Sequence, residues 1–536
     1  MKQLSGTDNL FLAMDEGHQH LHVAGLGIYD PSTAPGGKVR FKSILNFFVS
    51  RLHASKVFRR RLVCVPQDLD RPYWVEDGEI DVEYHVRHIA LPQPGDWRQL
   101  MIQVARLHSR PLDMTKPLWE AYIIEGLDHI PGIPPGSFAV YIKFHHAAVD
   151  GEAGAAIIRA LHALSPDEGL EEAADTSVKI ADRDPSAVEL YARTVGSRAR
   201  QAVDASRLLL TLGTRIAMFG KDMVASGRAA ELGKELLAKF GEAKPGNGES
   251  GKDLSGRKPQ TRFDHPVSAH RVVDAVGFKL ADCKKIRQHV PDVTINDIFM
   301  AACGGAVRAY LDAKGELPKK SLNAMVPMTT RGAVKDADAG NQVGMTTMPL
   351  RTDIADPIER LLAVRRGSGK SKAMTAALGK DLVGRLVQVL PAVASKLLVR
   401  QGIVALSNVT VSNVRGPDVP LYLAGARLVL YLPVSVAFDN VGLNVTGFSY
   451  NGTLWVCFVS CRKMMPDPGI FAACLKTSFD EMVQAAVAHG TTKPAVVPAP
   501  KRRAAKQPKP ADAKRATPKA TARRAVKSKL KAGTAR

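Results

Sequence analysis

Long apolar runs are absent from this sequence of 536 residues. The longest apolar stretches are 428–438, which is about the length of a strand, and 382–399, which Arg385, Pro391 and Lys396 interrupt. A membrane-spanning helix needs about 20 consecutive apolar residues, and the N-terminal "MKQLSGTDNLF" lacks the apolar core of a signal peptide. We therefore expect neither insertion across a membrane nor secretion, while binding to a membrane surface stays open.

Cysteine is also scarce, and its spacing forms no zinc site. Cys457 and Cys461 lie four residues apart, but neither a second cysteine pair nor a histidine cluster accompanies them. The other cysteines are dispersed through mostly apolar sequence: Cys64, Cys283, Cys303 and Cys474. We expect reduced, buried thiols in a cytoplasmic protein, and no metal site.

Acidic residues are nearly absent from the C-terminal tail. Residues 501–536 hold 14 of the 74 Lys and Arg residues but only one of the 52 acidic residues, Asp512, although the net charge of the chain is +22. The tail has no aromatic residue and almost no large apolar one, so it cannot bury enough surface to fold. We predict disorder over 493–536. Such a tail binds a polyanion, either nucleic acid or anionic lipid, or it only keeps the protein in solution.

The rest of the chain is long enough for two cores and shows a mixed pattern twice. In the first half, "HVAGLGIYD" and "FAVYIKF" predict strands, and "WRQLMIQVARLHS" predicts a helix. In the second half, "VTVSNV", "ARLVLYLPVSV" and "GLNVTGFSYNGTLWVCFVS" predict strands, the last with a hairpin at "YNGT", and "INDIFMAACGGAVRAYLDA" predicts a helix. Between the halves, 187–240 is helical in pattern and 241–262 has the composition of a flexible connector. The sequence predicts an α/β layered architecture, repeated once.

One stretch carries chemistry: "YIKFHHAAVDG", residues 141–151. It links a predicted interior strand to a predicted helix, so His145, His146 and Asp150 lie on a strand-to-helix loop. Histidine is the usual general base near neutral pH, provided that an acceptor fixes its tautomer. Asp150 is close enough to brace the loop, and Gly151 permits a backbone geometry that a side chain can forbid. Two purely structural histidines are the alternative.

The pattern H-H-x-x-x-D-G resembles that of the acyltransferase superfamily of chloramphenicol acetyltransferase, carnitine acyltransferases and peptide-synthetase condensation domains. Up to about residue 490, the chain further resembles the bacterial wax ester synthase/acyl-CoA:diacylglycerol acyltransferase family. The blocks that carry this resemblance follow in order: "LSGTDNLFLAMDEGHQHLHVAGL", "FRRRL", "RPLDMTKPLWE", "TINDIFMAACGGAVR", "VPMTTR", "GNQVGMTTMPL" and "SNVRGP". One departure is visible: "GHQHLHVAG" stands where the family pattern leads us to expect proline-methionine before "HV".

The resemblance implies two chloramphenicol-acetyltransferase-like domains, each a mixed sheet packed with helices, joined by a helical crossover linker. We expect the N-terminal domain over 1–186, the crossover and flexible linker over 187–262, the C-terminal domain over 263–492 and the basic tail over 493–536. It also implies a cytoplasmic protein that associates peripherally with the inner face of the membrane or with lipid inclusions.

The implied reaction is transfer of a long-chain acyl group from acyl-CoA, as co-substrate, to the hydroxyl of diacylglycerol or of a long-chain alcohol, with no cofactor. By its place in the motif, His146 is the expected general base, His145 orients the loop, and Asp150 and Gly151 are structural. No G-x-S-x-G elbow supplies a serine nucleophile, so we expect direct transfer. The alternatives are another transferase of the superfamily, of condensation or carnitine type, or a non-enzymatic protein that coats lipid droplets or binds polyanions.

Three further features of the sequence each allow more than one interpretation. Asn413 is the candidate donor to the oxyanion, on a strand-end turn, or it is a plain turn asparagine. Asn296 and Asp297 open a helix, where an N-cap is the simpler interpretation. Segment 381–401 is a core helix, a tunnel lining or a membrane-surface helix. The sequence leaves acceptor and chain-length preference, oligomeric state and the role of the tail open.

Overall fold

The computed structural model describes residues 1–78, 80–149, 151–168, 182–225, 258–329, 343–378 and 382–492. Asp150, most of the predicted connector and the predicted basic tail lie outside these ranges. In the described residues the strands are β1 Lys2–Gln3, β2 His22–Asp30, β3 Arg60–Val63, β4 Tyr73–Glu76, β5 Val86–Ala90, β6 Trp119–Glu125, β7 Phe138–His145, β8 Arg271–Lys279, β9 Asn323–Thr329, β10 Val343–Pro349, β11 Val409–Arg415, β12 Tyr422–Leu423, β13 Ala426–Val434, β14 Asn444–Tyr450 and β15 Thr453–Cys461.

The α-helices of the same residues lie between these strands. They are α1 Gly6–Met14, α2 Phe41–Arg51, α3 Val82–His85, α4 Trp97–His108, α5 Gly151–Ala160, α6 Ala187–Ala225, α7 Leu280–His289, α8 Ile295–Asp312, α9 Pro357–Leu378, α10 Leu382–Val389, α11 Ala392–Val399 and α12 Pro468–Thr492. The predicted crossover is thus helical over the part that is described, α6.

The strands form two six-stranded sheets and one small sheet. The first sheet has the order β12-β13-β2-β7-β6-β5, the second has the order β10-β9-β11-β14-β15-β8, and the small one has the order β1-β4-β3. Each large sheet contains parallel and antiparallel pairs. Two mixed sheets with packed helices confirm the predicted α/β architecture.

Four strands of each large sheet repeat one pattern. In β2-β7-β6-β5 the successive pairs are antiparallel, antiparallel and parallel. In β8-β15-β14-β11 they are again antiparallel, antiparallel and parallel. The predicted repetition is therefore present in the pairing of the strands.

Strand β13 comes from the second half of the chain but completes the first sheet. It pairs antiparallel with β2, from Arg427 opposite Asp30 to Val434 opposite Ala24. One large core accordingly contains residues of both halves, among them Leu26, Leu432 and Val456.

Local sequence signals explain several element ends. Asn451 and Gly452 have φ values of 44° and 81° and close the β14–β15 hairpin, as a turn with two left-handed residues requires. Helix α8 begins with a capping box, in which Thr294 is the N-cap and Asp297 is its reciprocal partner. The interpretation of "TIND" as a helix start is confirmed.

The cysteines differ from expectation at two positions. All six are free, and four of them are buried, but Cys474 is half-buried and Cys64 is exposed. The expectation of a buried thiol is therefore wrong for Cys64, which follows the short edge strand β3 of the small sheet.

The end of the predicted connector is packed against the second half. Lys258 forms an ion pair with Asp264 at 2.8 Å, and both side chains are almost fully buried. In the described residues, no helix combines the length and apolarity that crossing a bilayer requires.

Candidate active site

The motif loop begins where β7 ends. β7 is an interior strand between β2 and β6, and its last residue, His145, lies opposite His22 at the start of β2. The backbone N–H of His146 donates to the Leu21 carbonyl at 2.7 Å. The N–H of Ala148 donates back to the His145 carbonyl at 2.9 Å. Main-chain hydrogen bonds therefore hold the turn before α5 begins.

Hydrogen bonds at both ring nitrogens hold His145, which is 0% exposed. Its Nδ1 accepts a hydrogen bond from the N–H of Ala147 at 3.1 Å. The proton is therefore on Nε2, which donates to Oδ2 of Asp15 at 3.1 Å. Because both ring nitrogens of this buried histidine are hydrogen-bonded within the protein, neither is available to a substrate. This agrees with the predicted orienting role.

Asp15 is a site residue that the sequence analysis did not foresee. It follows the last residue of α1 and is 130 residues from His145 in the chain. Its carboxylate also accepts a hydrogen bond from the Leu21 N–H at 3.0 Å and lies 3.2 Å from Nδ1 of His20. Burial opposes ionisation, but the hydrogen bonds outweigh it and lower the pKa of Asp15. The carboxylate is therefore charged at neutral pH.

His146 differs from its neighbour in accessibility. It is half-buried, and its ring stacks on Phe11 of α1 with centroids 4.1 Å apart and planes at 19°. Phe11 is itself buried in a cluster with Leu10, Met14 and Leu21. The stack fixes the plane of the His146 ring, in a residue that is half-buried rather than fully buried like His145.

Further histidines surround this corner. The ring centroid of His22 lies 5.4 Å from that of His20, 6.0 Å from that of His145 and 6.4 Å from that of His108. Two of the four belong to the block "GHQHLH", whose histidines were noted only as part of a resemblance. Their density in six residues was the signal that could have found this cluster.

Two of these rings are neutral at pH 7. Nδ1 of His108 accepts from the Tyr141 hydroxyl at 2.9 Å, and its Nε2 donates to the Ser435 carbonyl at 3.0 Å. Burial, followed by the charge of Arg271, lowers the pKa of His108 to about 3. Burial and nearby cations also lower the pKa of His22 well below its usual range.

A buried charge network lies beneath the loop, around Lys143. Its Nζ donates to the carbonyls of Leu107 at 3.1 Å and Arg110 at 2.9 Å. It also lies 3.5 Å from Glu120, which pairs with Arg87 at 3.1 Å. Burial lowers the pKa of Lys143 to about 8, against the opposing effect of Glu120. The lysine that interrupts the apolar strand is therefore fully paired.

The structure distributes the remaining predicted residues differently. Gly151 is the first residue of α5, and Asp150 lies outside the described residues. Asn413 is exposed and lies in the second sheet, opposite Gly447 of β14. The predicted strand-end turn at Asn413 was wrong, because parallel pairing carries β11 through it to Arg415.

Segment 381–401 contains two short helices rather than one. α10 ends at Val389, and α11 starts after Pro391, which lacks the N–H that a continuous helix needs. One side of this pair is buried through Val387 and Val399, in the same cluster as Phe11. The core interpretation therefore holds for one face only.

The other face of α11 is apolar and exposed. Val393 is 80% exposed and Leu397 is 54% exposed. Lys396 and Arg400, at the same helix end, pair with Glu16, the residue after Asp15. Ion pairs thus connect the exposed apolar face to the loop that carries the site carboxylate.

An apolar cavity of about 570 Å³ lies between the two halves. Residues of both halves line it, among them Trp97, Ile130, Ile133, Val429, Leu430 and Trp455. Its volume is in the range that holds small organic ligands.

Comparisons with known proteins agree over most of the chain. Residues 4–299 match the family model described as wax ester synthase/diacylglycerol acyltransferase catalytic domain, and residues 339–483 match the one described as WS/DGAT C-terminal domain. A Mycobacterium tuberculosis protein assigned the name diacylglycerol O-acyltransferase is 30% identical over 495 residues, which cover 87% of each chain. A Mycobacterium bovis protein assigned the same name is 32% identical over 491 residues, which cover 91% of this chain and 100% of that one.

A solved structure matches as well. It is that of the wax ester synthase/diacylglycerol acyltransferase from Marinobacter aquaeolei VT8, with a TM-score of 0.62 and 26% identity. The match covers 91% of this chain and 100% of that chain.

Proposed function

Since the chain belongs to the wax ester synthase/diacylglycerol acyltransferase family, we propose that His146 is the general base with which it acylates an alcohol. The predicted activity itself, acyl-CoA-dependent O-acyl transfer, is confirmed at the level of the family, so the non-enzymatic alternative is wrong. The observation that carries the choice of base is the difference between two adjacent rings. His145 is closed and engaged at both nitrogens, whereas His146 is partly accessible.

The proposed reaction needs no covalent enzyme intermediate. His146 takes the proton of the acceptor hydroxyl while that oxygen attacks the thioester carbonyl, forming a C–O bond and a tetrahedral oxyanion. The C–S bond then breaks, and the imidazolium returns the proton to the departing thiolate. The products are an ester and free CoA, so one proton is borrowed and returned. Asp15 and His145 hold the loop through this cycle.

The oxyanion needs a hydrogen-bond donor, and Asn413 stays our candidate. Its side chain is exposed, and at this position β11 pairs with β14, while its pairing with β9 covers only Val409 and Thr410. An exposed amide beyond the paired part of one strand edge faces open space rather than packed core, which supports a role toward a ligand. Loss of one oxyanion donor costs about 10²–10³-fold in kcat, so Asn413→Ala is expected to lower kcat by that factor with KM little changed.

We propose diacylglycerol as one acceptor, in line with the names of the mycobacterial relatives, and a long-chain alcohol as the other. In the test, purified full-length protein is incubated with labelled palmitoyl-CoA and with either dioleoylglycerol or hexadecanol as the acceptor. We expect labelled triacylglycerol, wax ester or both. Absence of both products from active, folded protein would overturn the proposed function. The apolar cavity between the halves is our candidate for part of a hydrocarbon chain.

We propose further that the exposed face of α11 rests on the lipid surface that supplies the acceptor. An apolar face beside basic residues suits the boundary of an anionic bilayer, and its ion pairs to Glu16 bring that boundary close to the site. This is the peripheral association that the sequence analysis expected. The predicted contacts of the basic tail lie outside the described residues.

Vesicle flotation tests this surface. The double variant Val393→Asp and Leu397→Asp is expected to weaken binding to phosphatidylglycerol vesicles at least tenfold. The matched control is the double variant Val188→Asp and Val195→Asp on α6, where the two valines are 77% and 73% exposed. Equal binding by both variants would contradict the proposed surface.

A further inference from the structure

We propose that Asp15, His20 and His22 form a binding site for a divalent transition-metal ion such as zinc, directly beside the acyl-transfer site. The cysteine spacing predicts no metal site, but these three residues are not cysteines. Carboxylate and imidazole groups are ligands that zinc accepts.

The geometry fits a shared ion. One ligand atom from each of the three residues lies within 4.8 Å of the other two. Nδ1 of His20 lies 3.2 Å from Oδ1 of Asp15, and Nε2 of His22 lies 4.0 Å from Oδ2. Two tetrahedral zinc ligands are roughly 3.4 Å apart, since each bond is about 2.0–2.2 Å long. Small side-chain movements therefore bring the three atoms into one coordination sphere.

His22 supplies an independent indication of a missing ligand. It is 1% exposed, and its Nδ1 has no hydrogen-bond partner among the described residues. Its Nε2 points to Asp15 at 4.0 Å, which is too long for a hydrogen bond. An ion between His22 and Asp15 would bind Nε2, the ring nitrogen that faces the carboxylate, and would leave Nδ1 as it is.

The site is reachable and has room for one more ligand. The side chains of Asp15 and His20 are 17% and 18% exposed, whereas His22 closes the inner side. Three protein ligands with water in the fourth position form a common arrangement for zinc.

The ion would act on acyl transfer through Asp15. The oxygen that faces His22 is also the acceptor of the His145 hydrogen bond. A metal ion on this carboxylate withdraws electron density from it and competes with His145, which frees the motif loop. We therefore infer that the bound ion slows catalysis, and this consequence rests on the proposed function.

Binding is measured first without reference to activity. The full-length protein is stripped with chelator and titrated with Co²⁺, and the visible absorption of tetrahedral Co²⁺ is followed until Zn²⁺ displaces it. We expect saturable binding in the wild type and at least tenfold weaker binding in His20→Ala. The matched control is His18→Ala in the same loop, an exposed histidine outside the proposed site, which should titrate like the wild type.

Two outcomes overturn the metal site: no Co²⁺ absorption in the wild type, or equal titration of the wild type and His20→Ala. Thermal unfolding guards against a misfolded variant, because Zn²⁺ should raise the midpoint of the wild type and raise that of a folded His20→Ala much less.

Activity separates the two proposals. Zn²⁺ should lower the acyl-transfer rate of the wild type at least tenfold. It should lower the rate of His18→Ala by the same factor. Binding without inhibition overturns the effect on catalysis alone. If the wild type binds Co²⁺ but makes no ester even when it is metal-free, the proposed function is overturned and the metal site stands.

Discussion

At the end of β7 and at the end of β15 the backbone makes the same turn. After His145, the N–H of His146 donates to the carbonyl of Leu21, the residue before β2, at 2.7 Å. In the second sheet, the N–H of Arg462 donates to the carbonyl of His270, the residue before β8, at 2.9 Å. The two repeats therefore share this corner down to its hydrogen bond.

The side chains at the two corners differ. In the first sheet His22 lies opposite His145, and in the second Arg271 lies opposite Cys461. All buried histidines of the described residues are in the first half: His22, His85, His108, His145 and His162. The second corner also contacts the loop that leads into the first, because the Arg271 guanidinium donates a hydrogen bond to the His18 carbonyl.

A carboxylate precedes both corners. Asp15 and Asp264 each lie seven residues before the strand that pairs with the corner. Asp15 accepts from His145, whereas Asp264 is bound by Lys258 at 2.8 Å and by the Asn408 amide at 3.1 Å. The same backbone arrangement can therefore hold either a candidate catalytic site or a purely structural ion pair. The difference comes from which side chains reach the carboxylate.

The largest effect should separate the corners themselves. His146→Ala is expected to lower kcat about 10²–10⁴-fold, because it removes the proposed general base. Arg462→Ala, at the equivalent position in the second repeat, should retain nearly wild-type kcat, since Arg462 is exposed. Steady-state assay of both variants is the measurement. Comparable losses in both would contradict a single reactive corner.

The second prediction separates the two carboxylates by stability. Asp264→Ala leaves Lys258 buried without its partner, and breaking such a pair costs about 3–5 kcal/mol of unfolding free energy. Urea unfolding measures this loss, and kcat of the remaining folded protein should be unchanged. A kcat loss in Asp264→Ala at unchanged stability would reverse the proposed division of roles.

The third prediction concerns the matching carboxylate. Asp15→Asn is expected to lower kcat about 10- to 100-fold with little change in KM, by analogy with the carboxylates that orient metal-binding histidines. Loss of the negative charge should also move the acidic limb of the kcat/KM profile to lower pH. A reduced unfolding midpoint with an unmoved pH profile would indicate a purely structural carboxylate.

The fourth prediction is a difference in acid stability between the repeats. His108 binds a proton at pH 6.5 when unfolded and at about 3 when folded. The unfolded state therefore binds more protons across this window, and stability is lost as pH falls, by about 1.4 kcal/mol per unit below 6.5. Hydrogen exchange, corrected for its intrinsic pH dependence, should show β2 and β7 losing protection before β8 and β15. Simultaneous loss would refute the difference.

Local signals made much of the fold predictable. The alternation of "HVAGLGIYD" predicts a strand with the bounds found for β2, and "YNGT" marks the hairpin between β14 and β15. Each rests on residues that are neighbours in sequence. The pairing of β13 with β2 was not predictable, because it joins Arg427 to Asp30, and strand patterns do not specify distant partners.

The candidate site, like the fold, was predictable only where its residues are neighbours in sequence. The unequal pair His145 and His146 followed from one short motif, but its partners Asp15 and Phe11 come from the docking of α1, more than 100 residues away in the chain. The predicted turn at Asn413 was wrong because β11 continues through its parallel pairing with β14 to Arg415. Contacts fixed by tertiary packing were the ones that sequence reasoning missed.

The position of β13 has a consequence for synthesis of the chain. β2 and β7 have left the ribosome's catalytic centre by residue 145, but β13 is complete only at residue 434. At about 5–20 residues per second, one edge of β2 stays unpaired for tens of seconds. Such an edge is a template for association with other chains. A product truncated between residues 145 and 434 is therefore expected to aggregate more readily than the full-length chain.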